Sequence, residues 1–326
     1  MFSIGPAYQS TRRIQRHGGV WLTILRVLMP ARNNPCADAP GIRSFAAPRT
    51  GLDGTPVPET RSRHMPVTIA TWNINSVRLR AGLVGRLLTE EAPDVLCLQE
   101  CKSPVDKIPA EAFAALGYTH MVARGQKGYN GVAILARIPI EDAGHRHLTG
   151  REDARHVSAR LPDGTVIHNF YVPAGGDVPD RDASDKFAHK LDFVTEMRDW
   201  FGDERPQRSI LVGDLNIAPR EDDVWSHKQL LKVVSHTPVE VEHLGAAQEA
   251  GGWVDVTRAD IPEGRLYSWW SYRSPNWDAA DKGRRLDHVW ASPDLAAAAG
   301  GSRILRHVRG WEKPSDHAPV FATFDI

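Results

Sequence analysis

The sequence predicts an α/β protein in which two mixed sheets pack together with helices on their outer faces. Two observations carry the prediction. Strand-like segments outnumber helical ones, and hairpin signals are mixed with helical crossovers, an arrangement that a purely parallel, doubly wound sheet does not produce. The 326 residues suffice for one large α/β domain or two ordinary ones. A composition of 41% hydrophobic and 25% charged residues is that of a globular chain.

Residues 1–64 differ in character from the rest of the chain. They hold nine Arg, no Lys and three acids, are rich in Pro, Gly and Ser, and lack periodicity outside Val20–Met29. That run carries Arg26 and is well short of the roughly 20 residues that span a bilayer, so no membrane association is expected. A targeting peptide, a disordered tail and a mis-assigned start are the competing readings. The abrupt change of character at Met65 favours Met65 as the true initiator. The expected organisation is an extension over 1–64 and one folded domain over 65–326. From Met65 on, 31 basic residues face 37 acidic ones. A polyanion would therefore need a local patch and metal ions, which counts modestly against a nucleic-acid enzyme. Cys36, Cys97 and Cys101 show no C-x-x-C spacing, and a reducing, cytoplasmic setting is the default. Cys97, inside an apolar strand, reads as a small buried hydrophobe.

Within the folded part, Val67–Trp72 reads as a strand and Val77–Glu91 as a helix with Leu79, Leu83, Leu87 and Leu88 on one stripe. Asp94–Gln99 is a second strand and Pro109–Leu116 a short helix. Tyr118–Ala123, Gly131–Ala136, Arg155–Leu161 and Thr165–Val172 are further strands, the last two joined by a hairpin at Asp163-Gly164. Ser184 is the expected N-cap of a helix to Phe201. The run Ile210–Val212 is a buried strand ending near Gly213. A short helix near Val239–Ala250 and strands at Arg285–Ala291, Arg303–Val308 and Ala318–Phe324 complete the chain.

Polar residues recur where these strands end: Asn73, Glu100, Tyr171, Asp214 with Asn216, Asp287, and Asp316-His317 just before an apolar run. Each alone has an ordinary reading as a solvated terminus or turn; Asp214 and Asn216 fit an Asx-turn. Together they point to one functional edge of a layered fold. Carboxylates and carboxamides are hard ligands suited to Mg²⁺ or Mn²⁺. His145 and His147 have no Cys partners, which argues against zinc. No phosphate loop, G-x-S-x-G elbow or H-E-x-x-H motif is present. A Mg²⁺ site with an Asp base and a His suits hydrolysis of a phosphate ester.

The segments TWNINSVR (71–78), LCLQECK (96–102), YNGVAIL (129–135), NFYVPAGG (169–176), GDLNIAPREDDVW (213–225), YSWWSYRS (267–274), RRLDHVWAS (284–292) and SDHAPV (315–320) resemble the exonuclease III family of bacterial repair nucleases, within the endonuclease/exonuclease/phosphatase superfamily. The resemblance runs in order through Met65–Ile326. It implies a four-layer α/β sandwich, Mg²⁺-dependent cleavage of DNA phosphodiesters, 3′→5′ exonuclease action on duplex DNA, incision at abasic sites and 3′-phosphatase activity, in a monomer.

Carried across, Glu100 is implied as the principal metal ligand beside Asn73, with Asp316 and His317 as further candidates. Asp214, supported by Asn216, is implied as the base, and both also stand among the candidate ligands. His317 is implied as a donor to the phosphate with Asp287 fixing its tautomer, and Tyr171 as a hydroxyl near the phosphate. Trp269 and Leu286 resemble the pocket for a base-less sugar; ordinary core packing is the competing reading for Trp269-Trp270. Cys101 and Ala174 stand where close relatives often carry other polar residues, and Arg284 is not a fixed family feature. A superfamily phosphatase or phosphodiesterase acting on lipid or inositol phosphates is disfavoured by YSWWSYRS and RRLDHVWAS. A catalytically silent nucleic-acid-binding regulator is disfavoured because Glu100, Asp214, Asp287 and His317 are all present.

Overall fold

In the computed structural model residues 66–326 are described, so the extension expected over 1–64 lies outside the described residues. The strands in chain order are β1 (Pro66–Asn73), β2 (Val95–Gln99), β3 (His120–Arg124), β4 (Val132–Ala136) and β5 (Glu141–Gly144). They continue with β6 (His156–Arg160), β7 (Val166–Tyr171), β8 (Ser209–Asp214), β9 (Val254–Asp255) and β10 (Trp269–Trp270). The last four are β11 (Gly283–Arg284), β12 (Asp287–Ala291), β13 (Ala299–Ile304) and β14 (Val320–Asp325). One six-stranded sheet runs β13-β14-β1-β2-β4-β3 and a second runs β5-β6-β7-β8-β12-β9, while β10 and β11 form a separate ribbon. Both large sheets are mixed: β1–β2 and β7–β8 are parallel and their other pairings antiparallel.

Alternation along the strands builds the layers. Side chains two apart share a face. Ile69, Val95, Cys97, Ile134, Ile167, Ile210, Val212 and Val289 meet between the sheets as one apolar core. Their neighbours Ala70, Leu96, Leu98 and Leu135 face outward against Val84 and Leu87 of the helix Ala81–Glu90 and Phe113 of a short helix. On the opposite side Phe170, Leu211 and Trp290 pack on Phe193, Val194, Met197 and Phe201 of the helix Asp185–Glu204 and Leu244 of the helix Pro238–Gly251. Helix, sheet, sheet and helix make the four layers. Ser184 caps the longer helix through its side chain, and the loop at Gly164 closes the β6–β7 hairpin.

Three expectations are corrected. The first helix begins at Ala81, not Val77, and Leu79 is 69% exposed rather than on the inner stripe. Asn75 and Ser76 take positive φ there, and the backbone bonds across to the carbonyls of Glu100 and Cys101 instead of winding a helix. The strand expected at Arg303–Val308 is displaced: β13 occupies Ala299–Ile304, and Arg306–Gly310 is a 3₁₀ turn. The strand expected at Arg285–Ala291 starts at Asp287, because Arg285 and Leu286 leave the ladder to bond with Asp223 and Leu215.

Candidate active site

The alternation that builds the core also builds the site. On β1 the inward positions are Ile69, Thr71 and Asn73; on β2 they are Val95, Cys97 and Gln99. On β7 they are Ile167, Asn169 and Tyr171, on β8 Ile210, Val212 and Asp214, and on β12 Ala291, Val289 and Asp287. Each inward row thus changes from apolar to polar toward one end of the sandwich. Register aligns these ends: Tyr171 stands opposite Asp214, Asp214 opposite Asp287, and Asn73 opposite Gln99. The step from β7 to β8 needs Gly213, whose φ of 144° and contact with the Phe170 backbone leave no room for a Cβ.

Asn73, which is fully buried, joins the two sheets. Its Nδ2 donates to Glu100 Oε1 at 3.0 Å and to Asp214 Oδ2 at 2.8 Å. Tyr171 Oη donates to the same Glu100 oxygen at 2.9 Å. The backbone N–H of Asn216 donates to Asp214 Oδ1 at 2.9 Å, which is the Asx-turn, while its Nδ2 donates to Oδ2 at 3.1 Å. Turn and site therefore coincide. His317 Nδ1 lies 2.8 Å from Asp287 Oδ2, and its Nε2 lies 3.7 Å from Asp214 Oδ2. Asp316, next in line, accepts from Trp269 Nε1 at 3.0 Å and Asn75 Nδ2 at 3.3 Å. Glu100, Asp214, Asn216, Asp316, His317, Trp269 and Leu286 line one open cleft of about 770 Å³. Glu100 and Asn216 both hold positive φ, at 49° and 55°, and such backbone is retained where surrounding structure fixes it.

The electrostatics follow from burial and partners. Burial raises Asp214 to about 7, with Asp287 adding to the shift and His317 opposing it. Burial opposes charge on His317, but Asp287 and then Asp214 raise it to about 10, so the imidazole is a cation at neutral pH. Burial works against Glu100 as a carboxylate too; Lys102, 2.7 Å away, overrides it and holds the pKa below the usual range. Tyr171 is pushed well above its ordinary value by burial and by Glu100 and Asp214, and stays a phenol.

A sequence profile described as "Endonuclease/Exonuclease/phosphatase family" matches residues 70–317. The chain belongs to that family. Within it, the chain is 31% identical over 268 residues to a protein named Exodeoxyribonuclease III from Haemophilus influenzae, covering 78% of this chain and 98% of that one. An AP endonuclease structure from Archaeoglobus fulgidus superposes with a TM-score of 0.74 at 33% identity, covering 80% of this chain and all of the other. A structure titled as a 3′ phosphatase, NExo, from Neisseria, bound to product DNA hairpin, gives a TM-score of 0.73 at 34% identity over 80% of this chain.

As a member of this family, the chain shows which strand-end residues meet. Asn73, Glu100, Tyr171, Asp214 and Asn216 form one hydrogen-bonded set, and the hydrogen-bonded pair Asp287 and His317 meets it through the 3.7 Å ion pair of His317 with Asp214. Asp316 and Trp269 adjoin it as a bonded pair, and Leu286 packs beside Trp269. Trp270 is the core member of the tryptophan pair, packed with Tyr267 and Trp277. Among the described residues, one group of His, Cys or acidic side chains brings ligand atoms within 4.8 Å of one another: Asp214, Asp287 and His317. His145 and His147 pack edge to face and are not part of it.

Sequence reasoning missed several supporting residues. Ser268 Oγ donates to Asp287 Oδ2 at 2.6 Å and accepts from the N–H groups of Leu286 and Asp287. Gln99 Nε2 donates to Asn169 Oδ1 at 2.7 Å across the sheets. Lys190 is fully buried, and its ammonium donates to Glu240 and to the carbonyls of Asn216 and Ala174. A signal existed for each buried pair: Gln99 and Asn169 continue inward rows, and Lys190 lies three after Phe187 and four before Val194 on the helix's buried stripe.

Proposed function

We propose that this chain is a Mg²⁺-dependent DNA-repair nuclease that hydrolyses phosphodiesters as a 3′→5′ exonuclease on duplex DNA, incises abasic sites and removes 3′ phosphates. It works as a monomer in the cytoplasm. The observation that carries the reading is the meeting, in one cleft, of a base with a pKa near neutrality, a charged imidazole and the ionised carboxylate of Glu100. The names of the relatives supply the substrate: an exodeoxyribonuclease, an AP endonuclease and a 3′ phosphatase.

The roles follow from the hydrogen bonds. Asp214, held by Asn73 and Asn216, accepts a proton from the attacking water; a base titrating near the working pH is the most effective. His317 presents Nε2–H to a non-bridging phosphate oxygen, with Asp287 and Ser268 fixing the ring through Nδ1. Tyr171 stays protonated and donates toward the phosphate, trading its present bond to Glu100. General base catalysis contributes only roughly 10²–10⁴-fold, so charge stabilisation supplies most of the rest.

The oxygen donors fit Mg²⁺ or Mn²⁺. Glu100, already partnered by the ammonium of Lys102, is the carboxylate placed to take a cation, with Asn73, Asp214, Asn216 and Asp316 around it. A bound Mg²⁺ would neutralise phosphate charge and polarise the phosphoryl oxygen. His317 serves in this reading as a donor rather than a ligand, because Asp287 takes its Nδ1 and the acids beside the ring favour the cation. The test is incubation with a duplex carrying one abasic analogue. Strand incision with Mg²⁺ and none with EDTA is expected; incision that survives EDTA, or none in either, defeats the proposal.

A further inference from the structure

The cleft carries both signs of charge: Glu100, Asp214 and Asp316 line it, and so do Arg273, Lys282 and Arg284. Lys282 lies over the ring of Trp225, 4.6 Å from its centroid, and Arg284 over that of Trp269 at 5.1 Å. Of these cations Arg284 is the one held in place: Nη1 donates to the Val234 carbonyl at 2.9 Å and to Ser235 Oγ at 2.7 Å. Its Nε is buried without a partner, and its side chain bonds to no carboxylate among the described residues. Burial lowers its pKa and Glu240 opposes the shift. The β10–β11 register sets Arg284 opposite Trp269, so guanidinium and indole stand together, beside Leu286 in the cleft lining.

A largely enclosed guanidinium bonded to no carboxylate is costly unless something else supplies acceptors. The nucleotide residue that enters the pocket is the available supplier. Its phosphates hang from C3′ and C5′, and the catalytic groups draw that side toward Asp214 and His317. A substituent on C1′ would then be the part of the nucleotide left to Arg284, beside Trp269 and Leu286 in the cleft lining. We infer that Arg284 is a specificity-determining residue that donates to a hydrogen-bond acceptor on C1′ of the nucleotide held against Trp269 and Leu286. This rests on the nuclease reading above and deepens it. The acceptor has two sources: the hydroxyl or aldehyde oxygen of a natural abasic residue, and the carbonyl or ring nitrogen of an intact base.

The experiment compares duplexes carrying a natural abasic site, a tetrahydrofuran analogue without the C1′ oxygen, and an intact recessed 3′ end, with the wild type, Arg284→Met and Arg284→Lys. The readout is kcat/KM on the first and third substrates, each divided by that on the tetrahydrofuran duplex. Ratios from one preparation cancel its folded fraction. A hydrogen bond from a charged donor corresponds to roughly a tenfold or larger change, so Arg284→Met should lower at least one ratio by about that factor, with Arg284→Lys between. A fall in the abasic ratio assigns the hydroxyl or aldehyde, and a fall in the recessed-end ratio assigns the base. Both ratios staying within about twofold of wild type overturns the inference while leaving the nuclease reading intact. A wild-type enzyme that cleaves none of the duplexes removes both.

Discussion

Asp287→Asn tests whether His317 works as a fixed, charged donor. The Asp287 carboxylate is fully buried, and its Oδ2 accepts from His317 Nδ1 at 2.8 Å and from Ser268 Oγ at 2.6 Å. Asparagine keeps the shape and one acceptor but loses the charge, and in one of its two flips the amide meets Nδ1–H donor to donor. A hydrogen bond to a charged group contributes roughly 1.5–3 kcal/mol, which corresponds to about 10- to 150-fold in rate. Losing a preorganised donor to developing charge reaches about 10²–10³-fold. Turnover of an abasic-analogue duplex with Mg²⁺ should therefore fall about 100-fold. Duplex affinity in EDTA should change by less than about threefold, because the interaction grows in the transition state. Ser268→Ala removes a neutral donor to the same oxygen, together with the acceptor for the N–H groups of Leu286 and Asp287, and should cost about three- to tenfold. An Asp287→Asn enzyme within about threefold of wild-type turnover would refute the reasoning.

Asp214→Asn should abolish cleavage while leaving DNA binding measurable by anisotropy; retained turnover above about a hundredth of wild type would remove its role as base. Lys190→Met leaves Glu240 buried and unpaired and takes the donor from the carbonyls of Asn216 and Ala174. It should lower unfolding free energy in urea by roughly 3–5 kcal/mol, with Lys190→Met/Glu240→Gln recovering part of it. Burial holds His168 down at about 4, and burial with the His168 charge holds His156 well below 6.5. Both pKa values lie below those of the unfolded chain, so the unfolded state binds protons first. Their stability contribution is full above pH 6.5 and is lost as pH falls toward about 4. His168→Gln should flatten the dependence of the urea midpoint on pH across that window, and an unchanged slope would count against it.

What was legible in the sequence was whatever obeyed a period. The runs from Val67, Asp94, Arg155, Thr165 and Ile210 became strands close to their expected limits because alternate side chains of each enter the apolar core between the sheets. The same period placed the site: Asn73, Tyr171, Asp214 and Asp287 each extend an inward row by one step, and register does the rest. Residues off the strands were found by type and resemblance, Glu100 and His317 among them. Illegible were the features set by tertiary contact alone. The β10–β11 ribbon is two residues per strand, too short for any pattern. Leu79 fitted a helical stripe, but the chain there is held by carbonyls from the β2 end, which no local window contains. Lys190 sat on an apolar stripe as an apparent misfit, and its partner Glu240 lies 50 residues away.

The proposed mechanism joins the roles of Asp214, His317 and Tyr171 to a divalent cation held between the two sheet ends. The most direct measurement is anomalous diffraction from a Mn²⁺-soaked crystal with an abasic-analogue duplex. A peak bonded to a Glu100 oxygen inside the cleft, with the scissile phosphate between it and His317 Nε2, is the predicted result. A phosphate seated in the cleft with no peak near Glu100, or a peak only elsewhere on the molecule, would contradict the account.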